Sequence, residues 1–536
     1  MSDPAVDSRP RALRVAPAGS LFAAAMVVVA IGGAWAPAAA TPAQFLSVGD
    51  PIERELRILD LFPDSATAGR VRIPHLFTRP LELRELEGAA APPSSPWPVV
   101  APSLARLERV LGRDARQGFE PDPTHPATPR LLTRGLLDQR LEISAGIEGS
   151  AEVDRDTARV LSGSGLHVRA TFAVDHWVLH SHLVVGHFDR ARSFADPVVA
   201  NTDVTTLTEE SYVEYSGTDA AWDVQLGRSR WHWGPGDEGS LILSRSSAPI
   251  TGLALRARLA ALDLDAIALN ATLDAAAGEQ LAAHRLEWRP TPRWRVGLTE
   301  AARYHAAGWS PLYAAGVIPY VLVQRLQVQD QPDSAGALRN NVLFGCDAAW
   351  RVADGTRLYG EIAVDDLHAK TAKNPDKLAW QVGWEGAGMI GAQRLSWGGE
   401  LTRVWRFVYT SFFGQSFEAQ GRPLGFPTGP DRRRLSLHVD WDPAEDWQFS
   451  VRGSSTDRGE GTLADVYVPG TPGVQASKFL GVIERAREAE IGARWWPAGG
   501  VDVAVTGGYR RIENVAHVTG AGRDGAYGRL ELRLTR

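Results

Sequence analysis

From Gly135 to Arg536 the chain alternates. Runs of roughly ten residues set apolar against polar side chains at period two, with turns between them. The last run places Leu530, Leu532 and Leu534 against Arg529, Glu531, Arg533 and Thr535. The one before it places Val501, Val503, Val505 and Tyr509 against Asp502, Thr506 and Arg510. Leu435, Leu437, Val439 and Trp441 oppose Ser436, His438 and Asp440, and Trp447, Phe449 and Val451 oppose Gln448, Ser450 and Arg452. A chain patterned this way over about four hundred residues is all-β, and two architectures remain: a soluble sandwich or a closed membrane barrel.

Two features favour the barrel. Short turns alternate with longer polar connections, a porin-like rhythm, and the strand-like runs number about eighteen. Trp288, Trp294, Trp350, Trp441, Trp447, Trp495 and Trp496 cluster at strand ends, where aromatic girdles meet the two faces of a bilayer. A carbohydrate-binding surface uses the same aromatics, so the tryptophans alone leave both readings open. The predicted fold is a transmembrane antiparallel β-barrel of about eighteen strands over 135–536, with a small helical region before it. The last strand alternates but ends Leu534-Thr535-Arg536, without the terminal aromatic that many outer-membrane barrels carry.

The N-terminal part reads differently. Arg9, Arg11 and Arg14 precede an apolar run from Leu21 to Ile31, followed by small residues through Ala40. That run is shorter than the roughly 18–20 residues a membrane helix needs. Residues 1–40 therefore read as a secretory signal peptide cleaved after Ala40. Residues 41–134 read as short amphipathic helices. Ile52, Leu56, Leu59 and Phe62 recur at helical spacing between Pro51 and Pro63. A second helix is expected from Arg79 to Leu86, and a third from Ser103 with Leu104, Leu107, Val110 and Leu111 on one side. Helices this short bury too little to stand alone, so they are expected against the periplasmic end of the larger domain.

The most distinctive segment is Leu226–Pro249, LGRSRWHWGPGDEGSLILSRSSAP. A strand runs into Arg228, Arg230, Trp231 and Trp233 and breaks at Gly234, Pro235 and Gly236. Asp237, Gly239, Ser240 and Ser244 follow. Gly234 to Gly239 satisfies G-x-G-x-x-G, yet Asp237 and Glu238 repel a pyrophosphate and no helix follows, so a dinucleotide site is rejected.

WGPGDEGSLILS with Ala248-Pro249 resembles the signature of the Wzi-type capsule assembly family, a group of outer-membrane β-barrels. Three more segments match in the same order: Asn340 to Gly345 with Asp347, Leu358-Tyr359-Gly360-Glu361 with Asp365 and Asp366, and Arg422 to Gly425 with Gly429-Pro430-Asp431. The resemblance runs from Pro51 to the C-terminus. It implies a helical bundle closing the periplasmic mouth and a location in the outer membrane of a Gram-negative-type bacterium. It implies binding of exported capsular or exopolysaccharide to attach or organise a capsule. Outer-membrane lipid and the barrel-insertion machinery are the other expected partners. Within the motif the glycines read as a turn that shapes the barrel, with ligand contact as the alternative.

The formal charge of −6 argues against nucleic acid as a partner. The single cysteine, Cys346, excludes disulfides and a Cys-rich zinc site. His176, His180 and His182 share a strand face near His187, but i and i+2 histidines underdetermine a tetrahedral site. They read as lumen-facing polar residues. No metal and no cofactor are expected. Glu361, Asp365 and Asp366 could be a glycosidase pair, although sequence does not show the separation such a pair needs. Pairing of these lumen-facing carboxylates with lumen arginines is the plainer reading. No nucleophile elbow, phosphate loop or H-E-x-x-H is present, and nothing compels an enzyme. A diffusion porin is the rival function. Longer connections at 189–208, 308–319, 327–339, 414–431 and 455–484 carry Trp309, Tyr313, Phe412, Phe413, Phe417, Phe426, Tyr467 and Phe479 and are expected on the extracellular side.

Overall fold

The structure is a computed structural model. It describes residues 45–46, 48, 52–62, 75–82, 98–104, 106, 132–136, 139–154, 159–174, 176–188, 196–197, 204–217, 221–314, 316, 318–323, 326, 340–366, 375–411, 415–467, 474–496 and 501–535. The expected signal peptide lies outside the described residues, as do Phe412 and Phe413.

The alternating runs pair, each with the next, as antiparallel strands. In chain order they are β1 (Gln139–Asp154), β2 (Arg159–Val174), β3 (Trp177–Phe188), β4 (Val204–Ser216), β5 (Trp222–Ser229) and β6 (Ile250–Leu259). Then come β7 (Leu264–Asp274), β8 (Glu279–Thr291), β9 (Trp294–His305), β10 (Asn341–Ala353), β11 (Thr356–Asp366) and β12 (Lys377–Ile390). The last six are β13 (Gln393–Val404), β14 (Arg432–Ala444), β15 (Trp447–Arg458), β16 (Glu484–Trp495), β17 (Val501–Glu513) and β18 (Gly522–Thr535). β18 pairs with β1, from Tyr527↔Asp154 to Thr535↔Gly146, and closes an 18-strand barrel. Closure leaves every strand with two neighbours, the condition for spanning lipid without unpaired backbone groups.

The period-two pattern sorts side chains between two environments. Leu255, Leu286, Leu298, Val382, Leu437, Val451, Ile491, Val505 and Leu530 are exposed on the outer wall. Their polar neighbours Arg256, Arg285, Glu287, Gln381 and Glu400 are buried inside. The tryptophans lie where the outer wall meets the short turns: Trp177, Trp222, Trp288, Trp294, Trp350, Trp441, Trp447 and Trp495 are all exposed there. Trp294 stacks on Trp350 at 5.5 Å, and Trp447 on Trp495 at 5.9 Å, across paired strands. This is an aromatic girdle at one rim of an apolar wall.

One helix inside the barrel is fully described, α1 (Ile52–Asp60). Glu53 and Glu55 in its first turn and Arg57 in its last suit the helix dipole. Its apolar side joins Phe62, Leu76, Phe77, Leu81, Val99, Val100 and Leu104 in one core with the wall residues Ala349, Tyr359 and Ala387. The Gly355 amide donates to the Leu61 carbonyl (3.0 Å), which places this core at the short-turn end. Residues 101–104 and 106 are also helical. Of the helix expected from Arg79 to Leu86, residues 83–86 lie outside the described residues, and the described residues 79–82 are not helical. Thr78–Arg79 pairs with His232–Trp233, and Leu81–Glu82 with Phe45–Leu46, because the barrel interior offers this segment strand partners that its sequence does not reveal.

Candidate functional site

The segment between β5 and β6 does not project from the barrel. It folds into the lumen, and each residue of the glycine motif is held there. Trp233 and Trp231 are buried and meet edge to face at 6.1 Å. The Trp233 amide donates to the Leu243 carbonyl (2.9 Å), which makes the segment a hairpin. Gly234 donates to the Phe77 carbonyl (2.8 Å), and Arg57 of α1 donates to the Pro235 carbonyl (2.9 Å). The Asp237 amide donates to Glu400 on β13 (2.9 Å), and Gln381 on β12 donates to the Gly239 carbonyl (3.2 Å). Ser240 Oγ and the Leu241 amide both donate to Glu361 Oε1 on β11 at 2.9 Å. The Ser244 amide donates to the Leu424 carbonyl (2.8 Å) in the long connection between β13 and β14.

The glycines are required by this packing. Gly234 has φ of 143°, and a Cβ there would lie 2.7 Å from Glu361 Oε2 and Ser240 Oγ. A Cβ on Gly236 would lie 2.1 Å from the Gly239 carbonyl oxygen. His232 completes the hairpin. Its Nε2–H donates to the Gly236 carbonyl (3.1 Å) while Nδ1 accepts from the Arg245 amide (3.3 Å). Burial, with Arg79, Arg245 and Arg57 nearby, holds its pKa well below the usual value, so the ring is neutral.

Of the two flanking arginines, Arg228 donates to the Thr208 carbonyl (2.9 Å) at the end of β5. Arg230 pairs with Glu209 (2.7 Å) and donates to the Ser247 carbonyl (2.6 Å), anchoring the hairpin's entry and exit. Glu361 and Asp365 both face the lumen. Each is engaged by a lumen-filling loop: Glu361 by the hairpin, and Asp365 by the Tyr409 amide (2.7 Å) and by Lys377 (3.8 Å). Asp366 pairs with Lys377 in the strand register, after an irregularity.

Below the hairpin, toward the short turns, α1 is docked by buried ion pairs. Glu55 meets Arg394 (2.9 Å) and Arg106 (2.6 Å). Arg57 meets Glu385 (2.8 Å), and Asp60 meets Arg295 (2.6 Å) and Arg357 (2.5 Å). Burial resists ionisation of Asp60, but Arg295 and Arg357 outweigh it and hold the carboxyl at about 2. His75 lies 3.2 Å from Asp263 and 3.6 Å from Glu287. Burial works against its charge, but these carboxylates raise its pKa to about 9. Arg285 holds Asp347 at 2.6 Å and also donates to Thr78 Oγ1 (2.8 Å). Apart from Asp347, these docking residues are not singled out by the sequence. Their one signal was charge at inward positions, such as Arg285 and Glu287 on either side of Leu286.

Above the hairpin, toward the long connections, Tyr409 is the pin. Its hydroxyl donates to the Leu241 carbonyl (2.7 Å) and accepts from the Phe426 amide (3.0 Å). Asn341 donates to the Tyr409 carbonyl (3.3 Å). Asp431 is fully buried and accepts from the Gly461 (3.2 Å) and Leu480 (3.0 Å) amides, which ties in the connection between β15 and β16. All four sequence motifs thus converge on one assembly. Trp231, Trp233, Leu241, Ile242, Leu343, Phe417, Leu424 and Phe426 form a single core that reaches from Ala254, Ile267 and Leu281 on one wall to Ala363, Ala379 and Val404 on another. Among the described residues the lumen is crossed by packed protein.

The histidines of β3 do not converge on a metal geometry. His180 bonds Thr171 Oγ1 (2.9 Å) and lies 3.5 Å from Glu210, while His182 bonds His167 (3.0 Å). Tyr313, Phe417, Phe426 and Tyr467, four of the aromatics in the long connections, are buried in packing; Trp309 is exposed.

A family model described as capsule assembly protein Wzi matches residues 138–526. Among solved structures, the chain is similar to Wzi of Escherichia coli, described as a carbohydrate-binding outer-membrane β-barrel involved in group 1 capsule assembly. The TM-score is 0.60 at 14% identity, covering 91% of this chain and 98% of that one. OprD of Pseudomonas aeruginosa matches at a TM-score of 0.42 and 11% identity, over 75% of this chain and 97% of that one. OccAB1 of Acinetobacter baumannii matches at 0.43 and 9%, over 77% and 99%. No curated protein sequence matches the chain. The chain belongs to the Wzi family of capsule assembly proteins.

Proposed function

We propose that this protein is a sealed barrel of the bacterial outer membrane that binds exported polysaccharide at the cell surface and helps attach or organise a capsule. The observation that carries the reading is the filled lumen. The hairpin 230–249 is bonded to α1 on one side and to the 405–431 connection on the other, so the barrel holds its interior closed. A closed barrel acts through its outer surfaces. The long connections form the extracellular surface and meet the polymer, and the α1 end is periplasmic. Residues 1–40 direct export and are removed after Ala40; N-terminal sequencing of the membrane-inserted protein tests that boundary.

The hairpin motif is the structural centre of the seal in this reading, and Glu361 supports it without touching substrate. The test is retention of purified capsular polysaccharide by the detergent-solubilised protein, together with capsule attachment in cells that lack it. The reading expects retention, and free polymer in the medium of deficient cells. Attachment unchanged by loss of the protein contradicts it. If the protein instead processed the polymer, incubation would shorten the chains and Glu361→Gln would abolish the shortening; the reading expects unchanged chain length.

A further inference from the structure

The outer wall of β12–β17 changes character along its height. On β16 the outward series reads Arg485, Arg487, Ala489, Ile491, Ala493, Trp495, from the long-loop end to the short-turn girdle. On β14 it reads Arg433, Leu435, Leu437, Val439, Trp441. Register places Arg403 opposite Arg433 and Arg487 opposite Arg511. Like charges directly opposite on neighbouring strands repel, and here they stand where an apolar wall ends. Asp431, Asp457 and Glu513 interleave, pairing with Arg403 (3.9 Å), Arg433 and Arg511, but leave the basic groups in excess. Arg487 and Lys478 form no ion pair among the described residues.

The band contains a built groove of about 490 Å³, lined by Trp380, Arg403, Trp405, Arg433, Lys478 and Phe479 among others. Arg403 is its fixed cation. It is only 6% exposed, is held by the Val404, Arg432 and Ser477 carbonyls, and lies 3.9 Å from the Phe479 ring centroid. Arg433 and Lys478 are exposed cations at the edge, Arg433 with 56% of its side chain exposed although paired with Asp457. Trp380 stands on the same outward series as Val382 and Trp384, so the groove opens directly onto the lipid-facing wall.

We propose that this groove binds the phosphorylated sugar headgroup of an outer-leaflet glycolipid. The phosphates lie on Arg403, Arg433 and Lys478, a sugar ring lies on the aromatics, and the acyl chains run down Val382, Leu435 and Leu437. Arginine forks match phosphate oxygens, and aromatic faces suit sugars. Continuity with the apolar wall selects a lipid over a soluble polymer, which has nothing to place there. The inference rests on the membrane reading above and is separate from the polysaccharide reading.

The test uses the full-length protein in detergent, with bound lipid counted by native mass spectrometry against diphosphorylated lipid A and its dephosphorylated form. Heat-modifiable gel migration of the same samples reports whether the barrel is folded. The wild type is expected to prefer the phosphorylated lipid by about tenfold or more. Arg433→Gln combined with Lys478→Gln loses that preference while staying folded, and Arg293→Gln, at the opposite rim, keeps it. Equal retention of the two lipids, or full retention by the double variant, overturns the proposal. Competition by soluble glucosamine phosphate as effective as by the lipid itself would show a site for the free anion and overturn the lipid assignment. Loss of polysaccharide retention in the double variant with lipid A retention intact would assign the groove to the polymer and also overturn it. Soluble protein without a heat shift would instead sink the membrane reading on which the proposal rests.

Discussion

Gly236 has no side chain because there is nowhere to put one. Its Cβ would lie 2.1 Å from the Gly239 carbonyl oxygen and 2.4 Å from Gln381 Oε1. Gly236→Val therefore displaces the hairpin from β12, and the expected outcome is a barrel that inserts but unfolds at a lower temperature. An unchanged melting temperature by circular dichroism would refute the packing argument. Arg285→Gln leaves Asp347 buried without its partner and should cost on the order of 3–5 kcal/mol. Arg285→Met combined with Asp347→Leu should cost much less, since the expense lies in the orphaned charge rather than in the lost pair. Chemical denaturation of the two variants decides between these outcomes. Sequence made Gly236 legible as a turn, because Gly-Pro-Gly breaks an alternating strand. It could not show that the turn points inward, since that depends on Glu361, Gln381 and Glu400, which are more than a hundred residues away in the chain.

At the scale of elements, α1 and the segment after it are clamped by charge, so their docking should depend on pH. His75 has a folded pKa of about 9 against an unfolded value near 6.5. Its contribution is fully present below about 6.5 and is lost as pH rises through 9, on the order of 3 kcal/mol in all. His232 works in the opposite sense. Its folded pKa is depressed, so the neutral ring stabilises the hairpin above about 6.5 and the contribution falls as the pH drops below that. The melting temperature should therefore decline on both sides of a middle range, and His75→Gln should remove the alkaline decline only. A wild-type profile flat between pH 7 and 10 would contradict the clamp. The helix at Ile52–Asp60 was legible because Ile52, Leu56 and Leu59 recur at its period. The strand pairs at Thr78–Arg79 and Leu81–Glu82 were not, because a two-residue strand carries no period and takes its conformation from His232–Trp233 and Phe45–Leu46.

For the molecule as a whole, alternation, the rhythm of short turns and longer connections, and tryptophan placement together favoured a closed barrel over a soluble sandwich, since all three follow from how a strand divides lipid from lumen. What alternation leaves open is whether that lumen conducts, because porins and sealed barrels share the same wall. The answer lies in long-range contacts: Gly234 to Phe77, Ser240 to Glu361, Ser244 to Leu424, and Tyr409 to Leu241. The most direct measurement is single-channel recording of the purified protein in planar bilayers. The account predicts insertion without sustained ion conductance in the wild type, and conductance on displacing the hairpin through Gly234→Val with Gly236→Val. Steady open-channel current through the wild-type protein would contradict the sealed barrel and return the protein to the diffusion porins.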